Sequence, residues 1–156
     1  LPFLEKSNLS EINFNNIDFI KDLSFELKKY NIILCIESLI KGKQLRKIIE
    51  KFKVSNIRCV FDTGNRVFLD KNFYEDILIL NELINHIHLK DKNIKNENVI
   101  FGTGDVNFLK VFEYLEKIKY NHNFVFETNR GIDPLKTARF NLNSSKFYIK
   151  QVLDSA

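Results

Sequence analysis

The sequence predicts a parallel α/β domain built from one leading helix and four strand–helix repeats. Three observations carry that expectation. Short apolar runs alternate with longer segments whose apolar residues recur at every third or fourth position. The first of these runs, Ile32 to Ile36, is continuous in apolar residues, as strands of parallel sheets covered on both faces are. No Pro/Gly-rich linker interrupts the 156 residues, which hold 5 Gly and 2 Pro, so residues 1–156 read as a single domain.

Asn16 to Tyr30 reads as the leading helix, with Ile17, Phe19, Ile20, Leu23 and Leu27 at helical spacing. Ile32 to Ile36 is the first strand, expected to be covered on both faces, and it ends at Glu37. Gln44 to Phe52 is the next helix, with Leu45, Ile48, Ile49 and Phe52 on one side. Ile57 to Phe61 is the second strand and ends at Asp62. Phe73 to Ile84 reads as one helix, and Asn85 to Leu89 as a third strand with His88 near its end. A polar loop, Asp91 to Asn98, leads to Gly102-Thr103-Gly104-Asp105 and a helix around Phe108 to Ile118. Phe124 to Phe126 is the fourth strand and ends at Glu127. The last helix opens at Asp133-Pro134, where Pro suits the first turn, and runs toward Val152.

Composition narrows the function. The net charge of +4 comes from 19 Lys against 5 Arg, scattered among 19 Asn and 19 Ile. That is a compositional bias without the clustered Arg and interleaved aromatics of a nucleic-acid surface, so no nucleic-acid partner is expected. No apolar stretch approaches the ~20 residues of a membrane span, and no membrane association is expected. Leu1-Pro2-Phe3-Leu4-Glu5-Lys6 lacks the layout of a secretion signal, and the chain does not begin with Met, as a piece of a longer chain would not. Cys35 and Cys59 each lie inside a strand with no CxxC or Cys/His spacing. They read as buried reduced thiols of a cytoplasmic protein.

Each of the four strands ends at a metal-capable side chain: Glu37, Asp62, His88 and Glu127. Their separations of 25, 26 and 39 residues are each about one βα repeat, so neighbouring strands would aim them into one mouth. The carboxyl ends of parallel strands are where such folds bind ligands. Three carboxylates and one imidazole make a hard, oxygen-rich set suited to a divalent metal, Mn²⁺, Mg²⁺ or Co²⁺, with Zn²⁺ also admissible. Taken singly, each acid also reads as a helix cap or surface charge and His88 as a core histidine; the joint pattern is what supports a site. Gly102-x-Gly104 lacks the lysine of a phosphate loop and reads equally well as a tight turn. His86, two residues before His88, shares its face and reads as barrel core or as support for the ligands.

Glu37 after Ile33-Leu34-Cys35-Ile36, Phe61-Asp62-Thr63-Gly64-Asn65, His86-Ile87-His88-Leu89-Lys90-Asp91, Phe101-Gly102-Thr103-Gly104-Asp105 and Phe124-Val125-Phe126-Glu127 stand in the order found in xylose isomerase-like TIM barrels. The chain resembles these sugar phosphate isomerase/epimerase proteins, relatives of the AP endonuclease type of barrel, from about Asn31 onward. The resemblance implies a (β/α) barrel of TIM type, here the C-terminal four βα units with a leading helix. It implies that Glu37, Asp62, His88 and Glu127 are metal ligands, that Glu37 and Glu127 are catalytic, and that Asn65, Lys90 and Arg130 face a sugar or sugar phosphate. The implied reaction is isomerisation or epimerisation through an enediolate. Some epimerases place His where Asn65 stands, and Asn cannot exchange protons near neutral pH. The nuclease branch needs more histidines than the three present, of which His122 reads as a surface loop residue.

A whole barrel needs eight strands and ~250 residues. Four strands leave two parallel edges and an inner face for another chain to cover. The half barrel therefore reads as a fragment of a longer chain, as one part of a barrel completed by an N-terminal half or by a homo-oligomer, or as a non-catalytic metal-binding, sugar-binding or assembly module. The fragment is the simplest, because Asn16 to Tyr30 looks like the end of an earlier βα unit.

Overall fold

The computed structural model describes residues 14–155, with side chains from Asp18 onward. The N-terminal hexapeptide and the side chain of Ile17 lie outside the described residues. The order of elements is α1 (Phe14–Lys28), β1 (Leu34–Ile36), α2 (Gly42–Phe52), β2 (Ile57–Asp62), α3 (Thr63–Leu69), α4 (Glu75–Leu80), a 3-10 turn (Asn81–Leu83), β3 (Ile84–Leu89), α5 (Phe108–Lys117), β4 (Asn123–Phe126) and α6 (Pro134–Asp154). All four strands pair in parallel, in the order β1-β2-β3-β4.

The core lies between one face of this sheet and the helices. Ile57, Cys59 and Phe61 of β2 and Ile87 and Leu89 of β3 point into it and meet Leu45, Ile49, Ile77, Val111 and Phe112 of the helix layer. Side chains alternate across a strand, so Val60, Asp62, His86 and His88 stand on the opposite face. Register places them at matching heights: Val60 pairs with His86, and Asp62 with His88. A register shift between Cys59 and Val60 absorbs Asn85 and brings the two histidines into line.

Several expectations about elements are corrected. The first strand does not begin at Ile32, because among the described residues β1 is an edge strand paired with β2 alone, and pairing starts at Leu34. Ile32 and Ile33 are half exposed, so the strand is covered on its helix face but not on both. Phe73 to Ile84 is not one helix: α4 stops at Leu80, where Asn81 takes a positive φ of 39°, and a 3-10 turn delivers the chain to β3. The sequence reading had no helix at Thr63–Leu69. The Asp62 carboxylate caps it by accepting from the Asn65 N–H at 2.7 Å. Fully buried Arg66 of α3 then ties the fold together, donating to the carbonyl of Ile40 and pairing with Asp76 of α4 at 3.1 Å.

Among the described residues β1 and β4 each have a free hydrogen-bonding edge. Exposed apolar side chains accompany both, Ile32 and Ile33 ahead of β1, and Val125 within β4 with Leu135, Phe140 and Phe147 along α6. Cys35 and Cys59 are free, and Cys59 is buried with its thiol pushed up to about 12 by loss of solvent. Among the described residues no helix is long and apolar enough to cross a membrane.

Candidate metal centre

The four strand ends converge. Glu37 follows β1, Asp62 closes β2, His88 is the penultimate residue of β3 and Glu127 follows β4, its N–H donating to the carbonyl of Leu89. One ligand atom from each of the four lies within 4.8 Å of all the others. His88 Nδ1 is the hub: Glu127 Oε2 is 2.8 Å away, and Glu37 Oε2 and Asp62 Oδ2 are each 3.7 Å away.

The carboxylates divide their oxygens between two tasks. Glu37 Oε1 accepts from the Asn65 side-chain amide at 3.2 Å, and Asp62 Oδ1 accepts from the Asn65 N–H at 2.7 Å. Glu127 Oε1 is 3.1 Å from Lys90 Nζ. The second oxygen of each faces His88. Donors behind the candidate ligands thus fix their orientation, and Lys90 also reaches the inward-facing Oδ2 of Asp62 at 3.3 Å.

Electrostatics and hydrogen bonding both leave room for a cation. His88 Nδ1 is buried and forms no hydrogen bond, despite three carboxylates around it. Packed acidic oxygens repel one another unless positive charge sits among them. Burial, reinforced by the charges of Asp62 and Glu127, raises the proton affinity of Glu37 above that of an ordinary glutamate. Burial opposes the charge of Asp62, yet His88, the Asn65 N–H and Lys90 hold its carboxyl below the usual range. The Asp62 carboxylate beside it, with the charges of Glu37 and Glu127, raises His88 against the effect of its own burial. Three oxygens and an imidazole nitrogen in this disposition fit a hard divalent cation.

The remaining expected site residues fall into three situations. Asn65 sits within the centre and braces the carboxylates of Glu37 and Asp62. Lys90 is not a solvated rim lysine: it is buried and contacts Asp62 Oδ2 at 3.3 Å as well as Glu127. Arg130 is exposed in the loop after β4, and no hydrogen bond or ion pair holds it among the described residues. His86 packs its ring 5.1 Å from that of His88, and His122 is exposed.

Two residues of the arrangement escaped the sequence reading. Asp91 is fully buried and accepts from the N–H groups of Gly102, Gly104 and Val106, so it shapes the whole Gly-Thr-Gly loop. That loop is a structural turn around a carboxylate, with Gly102 at a φ of 84°. Gly64 makes room for Lys90: a Cβ there would lie 2.7 Å from Lys90 Cγ and 2.9 Å from its Cδ. Gly64→Ala is accordingly expected to cost about 1–3 kcal/mol, the usual range for overpacking. Thermal unfolding checks this, and an unchanged midpoint would show that Lys90 yields freely.

The comparisons follow the same outline. The family model described as xylose isomerase-like TIM barrel matches residues 13–146. An uncharacterised protein of Methanocaldococcus jannaschii is 26% identical over 148 residues, covering 88% of this chain and 50% of its own length. Among solved structures, a D-tagatose 3-epimerase-like protein superposes with a TM-score of 0.81 at 24% identity, over 97% of this chain and 60% of that one. An L-ribulose 3-epimerase gives 0.79 at 16% identity, over 89% and 54%. The IOLI protein with a binding zinc atom gives 0.72 at 19%, over 99% and 61%. At these identities the structural likeness speaks for the fold alone. The chain spans about half the length of the proteins it matches, and its four-stranded sheet is a partial barrel.

Proposed function

This chain belongs to the xylose isomerase-like TIM barrel family, and from that premise we propose that its centre serves a divalent-metal-dependent isomerase or epimerase of a sugar or sugar phosphate. The carrying observation is the set of inward carboxylate oxygens around the buried, unbonded Nδ1 of His88. The names of similar structures, an L-ribulose 3-epimerase and a zinc-bound protein, support joining sugar chemistry to a metal. Glu37, Asp62, His88 and Glu127 would hold the ion, which when bound would polarise the substrate carbonyl as a Lewis acid.

The proton work falls to the chain's own carboxylates. Glu37 and Glu127 follow the two outermost strands and flank Asp62 and His88. From there they address opposite faces of the carbon next to the carbonyl. One removes its proton, giving an enediolate, and the other returns a proton. Return to the opposite face of the same carbon is epimerisation; return to the neighbouring carbon is isomerisation. Asn65, the third N–H of Lys90 and Arg130 are the proposed contacts to substrate oxygens.

The two free edges and the inner face call for four further βα units, from the rest of a longer polypeptide or a second copy. The same edges favour a second reading, a non-catalytic metal-binding, sugar-binding or assembly module. Incubation with Mn²⁺ and a panel of ketoses and their phosphates in D₂O separates the two. Deuterium appearing at a carbon beside the carbonyl is the expected result. Metal bound without exchange in any sugar favours the module.

A further inference from the structure

The centre already contains a positive charge of its own. Lys90 follows His88 by two residues, so strand alternation sends both side chains to the same face. The residue is 7% exposed, its stem lies in the notch left by Gly64, and its ammonium reaches two of the four candidate ligands. A buried ammonium is costly unless paired, and here its partners are the carboxylates that face the proposed ion.

Two features distinguish this contact. Glu37 and Asp62 are braced from behind by neutral donors of Asn65, which orient without changing charge. Lys90 reaches the inner oxygen of Asp62, but only for Glu127 is the outer oxygen held by a cation; Glu127 is also the most exposed of the four, following an edge strand of four residues. Among the described residues nothing else engages its outer oxygen. The formal charge also balances: three carboxylates and one ammonium sum to −2, equal and opposite to one divalent ion beside a neutral imidazole.

We propose that Lys90 is the selectivity residue of this centre, restricting Glu127 to a single ligand oxygen and setting the local charge to match a divalent instead of a trivalent cation. The proposal rests on the reading of the cluster as a cation site. Without Lys90 the carboxylates carry one more uncompensated negative charge, and Glu127 is free to turn and offer both oxygens. Each change favours a hard trivalent ion of high coordination number over a divalent one.

Calorimetric titration of the intact protein with Mn²⁺ and with Tb³⁺ tests this in wild type, Lys90→Met and Lys90→Arg. Wild type should bind one Mn²⁺. Lys90→Met should raise the ratio of Tb³⁺ to Mn²⁺ affinity about tenfold or more, a unit charge acting over a few Å. The visible spectrum of its Co²⁺ form should shift toward higher coordination as Glu127 becomes bidentate. Lys90→Arg, which keeps the charge, should retain the wild-type ratio. An unchanged ratio in Lys90→Met with Mn²⁺ still bound overturns the proposal and leaves the metal centre standing. An equal rise in Lys90→Arg also overturns it, by assigning the effect to packing. Absence of Mn²⁺ binding in wild type overturns proposal and metal centre together. Circular dichroism checks folding, and Lys90→Gln replaces Lys90→Met if the apolar chain unfolds the protein.

Discussion

Glu37→Gln and Glu127→Gln are each expected to lower turnover in the assembled barrel by about 10²–10⁴-fold, the usual contribution of a positioned acid or base. Glutamine keeps the shape of the side chain and removes its ability to take and return a proton. The amide oxygen at position 37 still accepts from Asn65, and Glu127 is largely outside the core, so both variants should unfold close to wild type. Both residues also face the proposed ion, so metal content must be read on the same samples. Exchange lost with metal retained assigns proton transfer to the carboxylate. Exchange near the wild-type rate in both variants would sink the proposed chemistry while leaving the centre intact.

Asp91→Ala is expected to be the most destabilising change outside the apolar core. It strips the acceptor from three N–H groups, those of Gly102, Gly104 and Val106, in a position with no exposure to water. Each orphaned buried donor costs about 1–3 kcal/mol, and partial rearrangement of the loop would bring the sum to about 3–5 kcal/mol. For a domain of this size that lowers the unfolding midpoint by roughly 10 °C. Asp91→Asn should fall between: Gly102 and Gly104 share Oδ2 and Val106 uses Oδ1, so an amide keeps one acceptor and turns donors toward the rest. Melting of Asp91→Ala within about a degree of wild type would mean that the loop is held by something else.

The strand ends were legible in the sequence because a parallel repeat has a strong signal. Short apolar-rich runs carry a carboxylate or an imidazole at or near their carboxyl ends, and strand alternation decides which face that residue takes. Glu37, Asp62, His88 and Glu127 follow from that pattern, and the structure brings their ligand atoms together. Asp62 also shows that the bland and the functional readings of one residue coexist, since one oxygen caps α3 while the other faces His88. Helix α3 stayed hidden because its seven residues begin Thr-Gly-Asn, too short and too poor in helix formers for periodicity to register. The break at Asn81 depends on a positive φ that Asn tolerates and sequence spacing does not reveal. Ile32 and Ile33 have strand composition but no partner strand among the described residues, a matter of topology and not of propensity. Lys90 and Asn65 were visible as polar residues near the mouth; their attachment to ligand carboxylates depends on which rotamer three dimensions allow. The bond between Asp91 and the glycine loop left a readable trace, an acid at a strand end followed 11 to 13 residues later by Gly-x-Gly.

Metal content of the purified protein is the measurement that bears most directly on the centre, determined by mass spectrometry after exposure to Mn²⁺, Co²⁺, Mg²⁺ or Zn²⁺ and desalting. The Asp62→Ala/His88→Ala double variant is the control, because it removes the capped carboxylate and the imidazole hub together. One divalent ion per chain, lost in the double variant, is the expected result. No ion retained by wild type from any of these metals would contradict the metal centre and leave the chain as a partial barrel without metal chemistry of its own.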